Sequence, residues 1–216
     1  CGIIGIVSKR PVVGRLINGL ERLEYRGYDS SGVATIRNFN ICCTKSTGKL
    51  ISLKEKLKNE DIDGCVGIGH TRWATHGGPT EINAHPHVTK NVAVVHNGII
   101  ENFAEFKDDL HEKGISFNSQ TDTEVIAQLV EEKISQEKCE PLEAVRLVVK
   151  KLSGSFALCF IFRGIENLVI ATRRGSPLAL AFGEEENFVS SDATSLSIFS
   201  RKICYLEEDD FALLTP

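Results

Sequence analysis

The sequence predicts an α+β fold in which two mainly antiparallel sheets pack together with helices outside them. Many β-branched runs follow one another without an intervening helix, above all after residue 153, and neighbours joined by short turns pair antiparallel. Several of these runs are apolar almost throughout, which indicates sheets covered on both faces. The predicted strands are IIGIV, GVATI, VGIGHTR, VAVVHNG, FALCFIF, LVIATR, PLALAF, NFVSS, KICYL and FALLT.

Four segments have an apolar face at helical spacing, and most of them carry a boundary signal. Asn102 is the predicted N-cap of the second helix. Thr121 and Glu124 fit a capping box at the start of the third helix, and Pro141 occupies the first turn of the fourth. The predicted helices span 11–24, 102–113, 121–134 and 141–152.

Composition excludes several classes of protein. A hydrophobic content of 42% and a charged content of 25% are typical of a globular chain, and the absence of a linker or repeat predicts one domain over 1–216. The net charge of -4 gives no nucleic-acid footprint, and no apolar run is long enough for a membrane helix, so a cytoplasmic location is expected. Seven cysteines without a CxxC pair argue against a disulfide framework and a zinc site.

Three polar clusters interrupt the apolar pattern: YRGYDSSG, HTRWATHGGPTEINAHPH and HNGIIEN. Five of the six histidines lie in the last two, yet their spacing fits no HExxH pattern, so no metal ion or cofactor is expected. A cysteine nucleophile paired with a histidine is the other interpretation, and Cys65 and Cys1 are its candidates. Cys65 lies in an apolar strand, where a cysteine is usually part of the core.

Cys1 carries a thiol and the α-amine on one residue. An ordinary α-amine has a pKa of about 7.7–8.0, so roughly a quarter of it is free base near pH 7.4, against ~0.1% of a lysine side chain. A base and a nucleophile are therefore assembled on the same residue, which is the logic of the N-terminal threonine hydrolases with sulfur in place of oxygen. An incidental cysteine at a chain boundary is the alternative.

Other polar residues fit such a site, although each also has an ordinary structural interpretation. Asn97 and Gly98 can form an oxyanion hole, or simply a turn. Arg72 can hold a carboxylate in a bidentate manner, or form a surface ion pair. Asp122 can bind an ammonium group, or merely complement a helix dipole. Arg26, in the YRGYDSSG cluster, can belong to an ordinary hydrogen-bonded loop around Gly27.

These motifs together resemble one family. CGI, LEYRGYDSSG, GIGHTRWATHG, NAHPH, HNGIIENF, SQTDTEVIA, RRGSPL and ENFVSSD occur in this order over nearly the whole chain. The array is similar to the glutaminase domain of the glutamine-fructose-6-phosphate aminotransferases, a group of class II glutamine amidotransferases within the N-terminal nucleophile hydrolases. CGI and HNG would fit any class II member, including amidophosphoribosyltransferase, whereas YRGYDS and HTRWATHG are much more specific.

The resemblance implies a four-layer αββα sandwich and hydrolysis of L-glutamine through a thioester on Cys1. It implies that Asn97 and Gly98 form the oxyanion hole, while Arg72 and Asp122 bind the α-carboxylate and the α-amino group. The remaining substrate-binding positions that it implies are Trp73, Thr75 and His76 on a loop over glutamine, with Arg26 and Gly27 at the border of the pocket.

The resemblance also implies an ammonia acceptor outside this sequence. The family proteins carry a sugar-phosphate isomerase region after the glutaminase domain, whereas this sequence ends at LLTP. We therefore expect glutamine hydrolysis without amino-sugar synthesis from this chain. The alternatives are the glutaminase part of another class II amidotransferase and a non-catalytic glutamine sensor.

Overall fold

Two antiparallel sheets form the centre of the computed structural model, which describes residues 1–216. Their strands are β1 (Gly2–Ser8), β2 (Ser30–Arg37), β3 (Asn40–Thr47), β4 (Val66–Arg72), β5 (His87–Val88), β6 (Val92–Ile100), β7 (Gly154–Phe162), β8 (Val169–Arg174), β9 (Ala179–Phe182), β10 (Glu186–Ser190), β11 (Ile203–Tyr205) and β12 (Phe211–Leu214). The first sheet has the order β11-β9-β10-β1-β4-β2-β3, and the second has the order β12-β8-β7-β6-β5.

Six helices lie outside the sheets: α1 (Val13–Leu23), α2 (Leu50–Leu57), α3 (Phe103–Glu112), α4 (Asp122–Ser135), α5 (Pro141–Val149) and α6 (Ala193–Leu196). Helices α1 and α2 pack on the first sheet, and α4 packs on β6 of the second. No helix combines the length and the apolar character that crossing a membrane requires.

Three apolar clusters separate the layers, and side-chain alternation along the strands assigns residues to them. Ile3 and Val7 of β1 belong to the cluster between the two sheets, whereas Ile4 and Ile6 belong to the cluster under α1. A third cluster joins the second sheet to α4 and α5. Successive side chains of a strand point to opposite faces, so each sheet has an apolar cluster on both of its faces. The predicted αββα sandwich is confirmed.

The ten predicted strands and four predicted helices are present, but the prediction was incomplete. It lacked β3, the short β5, α2 and α6. Strand β3 follows β2 through a two-residue turn in which Asn38 and Phe39 have positive φ of 49° and 62°. Phenylalanine rarely adopts this conformation, so the usual Asn-Gly signal of such a hairpin is missing.

The capping predictions were partly right. The Thr121 hydroxyl accepts the Glu124 N–H at 3.3 Å, as predicted, while the Glu124 carboxylate binds the N–H groups of Asn118 and Ser119. Asn102 is the N-cap residue of α3, as predicted, but its side chain makes no capping hydrogen bond. The Asn102 amide instead bridges to the α5–β7 connection, where it accepts the Ser153 N–H at 2.9 Å.

The cluster between the sheets makes a stability prediction. Ile68 is fully buried there, and replacing it with alanine leaves a cavity, so Ile68→Ala should lower the free energy of unfolding by about 2–5 kcal/mol. Ile51 on α2 is 57% exposed, and Ile51→Ala should change it by less than about 0.5 kcal/mol. Urea unfolding of both variants measures the difference, and equal losses would contradict this assignment of the core.

Candidate active site

Side-chain alternation brings the candidate residues to one end of the space between the sheets. On β4, Val66 and Ile68 belong to the intersheet cluster, so His70 and Arg72 continue the same side of the strand. On β6, Ala93 and Val95 belong to it, and Asn97 continues that side. Cys1 has the same parity as Ile3 on β1. The polar site is therefore the end of the apolar intersheet core.

Both reactive groups of Cys1 contact main-chain atoms. The α-amine donates to the carbonyl oxygen of Arg26 at 2.6 Å, and Sγ accepts the N–H of Trp73 at 3.2 Å. Burial, followed by the positive charge of Arg26, lowers the pKa of the α-amine from 8.0 to about 6, against an opposing effect of Asp29. The free base is thus the main form of the amine at neutral pH.

Asn97 and Gly98 lie beside Cys1 at the end of β6. The Asn97 side-chain amide is 3.4 Å from the Cys1 carbonyl oxygen. Gly98 has φ +119°, and a Cβ there would lie 2.0 Å from the Ser155 carbonyl oxygen. Only glycine fits this backbone without strain. This position therefore requires glycine itself, which the alternative interpretation as a simple Asn-Gly turn does not explain.

A cavity of about 250 Å³ opens next to the Cys1 thiol. The guanidinium of Arg72 and the carboxylate of Asp122 both border it, and both residues are buried. The residues that line it are Cys1, Arg72, Trp73, Thr75, His76, His85, His96, Gly98, Ile99, Thr121, Asp122 and Thr123. The Cys1 residue, a buried arginine and a buried aspartate therefore line one small cavity.

Arg72 holds the loop that follows β4. Its guanidinium donates to the carbonyl oxygens of Gly78 at 3.0 Å and Gly77 at 3.2 Å, and also to that of His76. Burial lowers the pKa of Arg72, whereas the carboxylates of Asp29 and Asp122 raise it. These three bonds leave part of the guanidinium available, and they close the loop over the cavity.

Asp122 stands in the first turn of α4, at the positive end of the helix dipole. One carboxylate oxygen accepts the Ile100 N–H at 2.9 Å, and the other lies 3.9 Å from Nδ1 of His96. The hydroxyl of Thr123 is 3.4 Å from this second oxygen. The carboxylate is therefore fixed in orientation and retains acceptor capacity toward the cavity.

The remaining predicted residues contribute in different ways. Arg26 meets the α-amine through its carbonyl oxygen, while its guanidinium binds the Ser191 carbonyl at 3.2 Å. Gly27 does not line the cavity, but a Cβ there would lie 2.6 Å from the Arg72 carbonyl carbon, so it permits the close approach of two main chains. Trp73 is 54% exposed at the mouth of the cavity, beside Thr75 and His76.

Several residues around the site were not predicted. His96 and Thr123 line the cavity, joined by a bond of 2.9 Å between Nδ1 and Oγ1. Asp29 accepts the N–H of Ala74 and so anchors the start of the loop. Nε2 of His70 lies 3.0 Å from Oδ1 of the Asn97 side chain. Strand parity could have found His96 among these residues, since it alternates with Asn97 and faces α4.

The buried histidines form a neutral cluster. The rings of His70 and His85 are 4.2 Å apart between centroids, and those of His85 and His87 are 4.9 Å apart. Burial lowers the pKa of all four buried imidazoles, that of His70 to about 3. No group of three or more His, Cys, Asp or Glu side chains has an arrangement suited to a metal ion.

The backbone at Gly98 makes a testable prediction. Gly98→Ala should destabilise the protein by more than the ~1 kcal/mol of a simple positive-φ penalty, because the new methyl group also collides with Ser155. Gly114→Ala is the matched control, with φ +81° and open space around its Cβ position. Thermal unfolding compares the two, and an equal loss of stability would show that the collision is relieved.

The sequence and the fold are similar to those of known proteins. The glutamine amidotransferase domain family matches residues 70–197. The chain is 53% identical over its whole length to the glutamine-fructose-6-phosphate aminotransferase (isomerizing) of Bartonella quintana and 52% identical to that of Brucella abortus, and it spans 35% of each of those proteins.

Among solved structures, the glutamine phosphoribosylpyrophosphate amidotransferase of B. subtilis superimposes with a TM-score of 0.84 at 22% identity, covering 100% of this chain and 47% of that one. This likeness shows the fold, and the family match covers more than half of the sequence. The chain belongs to the glutamine amidotransferase domain family.

Proposed function

We propose that residues 1–216 form one glutaminase domain that hydrolyses L-glutamine to L-glutamate and ammonia through a covalent intermediate on Cys1. The observation that carries the proposal is the single cavity that joins the Cys1 thiol to a buried arginine and a buried aspartate. The proposal requires that the α-amine of Cys1 be free. The volume of the cavity, about 250 Å³, suits a ligand the size of an amino acid.

The first half of the reaction acylates Cys1. The α-amine takes the thiol proton, and the thiolate attacks the side-chain amide carbon of glutamine, forming a C–S bond and an oxyanion. The Asn97 side-chain amide and the Gly98 N–H are the proposed donors to that oxyanion. The protonated α-amine then gives its proton to the departing nitrogen, and the C–N bond breaks. Ammonia departs, and a γ-glutamyl thioester remains on Cys1.

The second half releases glutamate. The α-amine is again a free base, and it accepts a proton from a water molecule that attacks the thioester. The same oxyanion donors stabilise the second tetrahedral intermediate, and its collapse breaks the C–S bond and returns the proton to sulfur. One amine thus acts as base and acid in turn, which the contact with the Arg26 carbonyl favours by holding it beside the thiol.

Selectivity for glutamine is proposed to follow from its two charged ends. Arg72 would bind the α-carboxylate and Asp122 the α-ammonium group, with Trp73, Thr75 and His76 covering the ligand. Arg26 would act from outside the cavity through its contact with the α-amine, and Gly27 through its close approach to the main chain of Arg72. A substrate lacking either end would leave a buried charge unpaired, which is costly. The burial of Arg72 and Asp122 supports these roles.

The proposed ammonia acceptor is a sugar-phosphate isomerase region, with fructose 6-phosphate as the substrate that becomes glucosamine 6-phosphate. The relatives at 52% and 53% identity are named for this chemistry, whereas the phosphoribosylpyrophosphate amidotransferases share 22% identity. Trp73, which contacts Cys1 and lines the cavity, packs edge to face on Tyr28 at 5.4 Å, and both rings are about half exposed, so an apolar surface is available next to the cavity.

Covalent labelling tests the nucleophile and the substrate together. An electrophilic glutamine analogue should modify Cys1 alone, as located by peptide mass spectrometry, and excess glutamine should protect it. Cys1→Ala should lose labelling and glutamate formation while keeping its unfolding temperature. Modification of Cys65 or Cys204 in place of Cys1 would contradict the proposal, and glutamine binding without glutamate release would favour a sensor.

The α-amine predicts the pH dependence of catalysis. Because the base form is required and its pKa is lowered to about 6, kcat/KM should rise about tenfold per pH unit below 6 and level off above it. Steady-state assays from pH 4.5 to 8.5 measure this rise, which is the acidic limb of the pH profile of kcat/KM. His76→Gln should keep the limb, which separates the amine from the nearby imidazole, and a limb near 8 would contradict the lowered pKa.

A further inference from the structure

We propose that His70 is a positioning residue that orients the side-chain amide of Asn97 toward the reacting carbonyl. The inference rests on the proposed function, because it gives a role to the group that holds one oxyanion donor in place. It concerns the Oδ1 atom of Asn97, which meets His70 in the space between β4 and β6.

The hydrogen bonds of His70 determine its tautomer. Its Nε2 lies 3.0 Å from the carbonyl oxygen of His96 and 3.0 Å from Oδ1 of Asn97. A main-chain carbonyl oxygen only accepts hydrogen bonds, so Nε2 must carry the proton. Nδ1 of His70 is then unprotonated, and it is buried without a partner.

The tautomer in turn determines which way the Asn97 amide faces. An N–H at Nε2 requires an acceptor opposite, so Oδ1 of Asn97 faces His70 and Nδ2 faces the other way. The NH2 group is thereby directed to the Cys1 side, where it lies 3.4 Å from the Cys1 carbonyl oxygen. A flipped amide would set its N–H atoms against the imidazole N–H and lose both contacts.

The charge state of His70 keeps this arrangement over the working pH range. Full burial and the charge of the Cys1 amine lower the pKa of His70 to about 3. A neutral ring donates through Nε2 alone, and no acceptor is present at Nδ1 for a second proton. The His96 carbonyl therefore determines, through one imidazole, the direction of a donor on the next residue.

His70→Leu tests the proposal in the full chain. Loss of one oxyanion donor typically costs about 10²–10³ in kcat, so a disoriented Asn97 should lower kcat by roughly 10–100-fold while KM changes less than about twofold. Affinity for the aldehyde analogue of glutamine, which forms a tetrahedral adduct with the thiol, should fall in parallel with kcat. Inhibition by glutamate, which forms no tetrahedral adduct with the thiol, should change less than about twofold.

A double-mutant cycle separates positioning from a general structural role. If His70 acts through Asn97, adding His70→Leu to Asn97→Ala should cost less than about threefold more in kcat. Thr172→Val is the matched control, since the buried Thr172 does not line the cavity and its hydroxyl donates to the Asp210 carbonyl oxygen at 2.8 Å, so the variant should keep kcat despite lower stability. Losses that multiply in the double variant, or an unchanged kcat in His70→Leu, would overturn the inference.

His70→Gln keeps the test decisive if the leucine variant does not fold. A glutamine amide can donate from nearly the same place as Nε2, so kcat should stay within about fivefold of wild type, and its residual loss should disappear in the Asn97→Ala background. A loss that persists there would overturn the proposal. A wild-type chain that forms no glutamate would instead refute the proposed function itself.

Discussion

The packing of the two sheets against each other is the constraint on which the site depends. Each strand presents alternate side chains to the intersheet space, and these are apolar along most of its length, from Val66 and Ile68 on β4 to Val95 on β6. Where the apolar residues stop, the next positions of the same parity are His70 and Arg72 on β4 and Asn97 on β6. The same strand faces thus carry the apolar core along most of their length and the polar site at their end.

That position also explains the electrostatics of the nucleophile. The α-amine of Cys1 and the guanidinium of Arg72 are both removed from water, and burial is the first cause of the lowered pKa of each. A cationic group without full hydration loses its proton more readily. Burial therefore favours the uncharged, basic form of the α-amine at neutral pH. The carboxylates of Asp29 and Asp122 limit the same effect on the pKa of Arg72.

Much of the fold followed from the sequence, because strands that are apolar on both faces and helices with an apolar stripe leave strong local patterns. The hairpin to β3 did not follow, since Phe39 takes a left-handed conformation in which its main chain is bonded to Glu166 and Gly164, far along the sequence. In the site, Cys1 was identified from its chemistry, and the other roles from resemblance. His70 and Asp29 were missed because their partners are distant in sequence, and only the assembled strands bring them together.

The pairing of β1 with β4 has a consequence for the precision of this site. Ile3 lies opposite His70, and β1 is held on its other side by β10. A slip of one residue would turn His70 and Arg72 out of the intersheet space, and a slip of two would move them by roughly 6.6 Å along the strand. The alignment of a nucleophile with its donors is therefore a property of strand register, kept by every ladder hydrogen bond of the sheet.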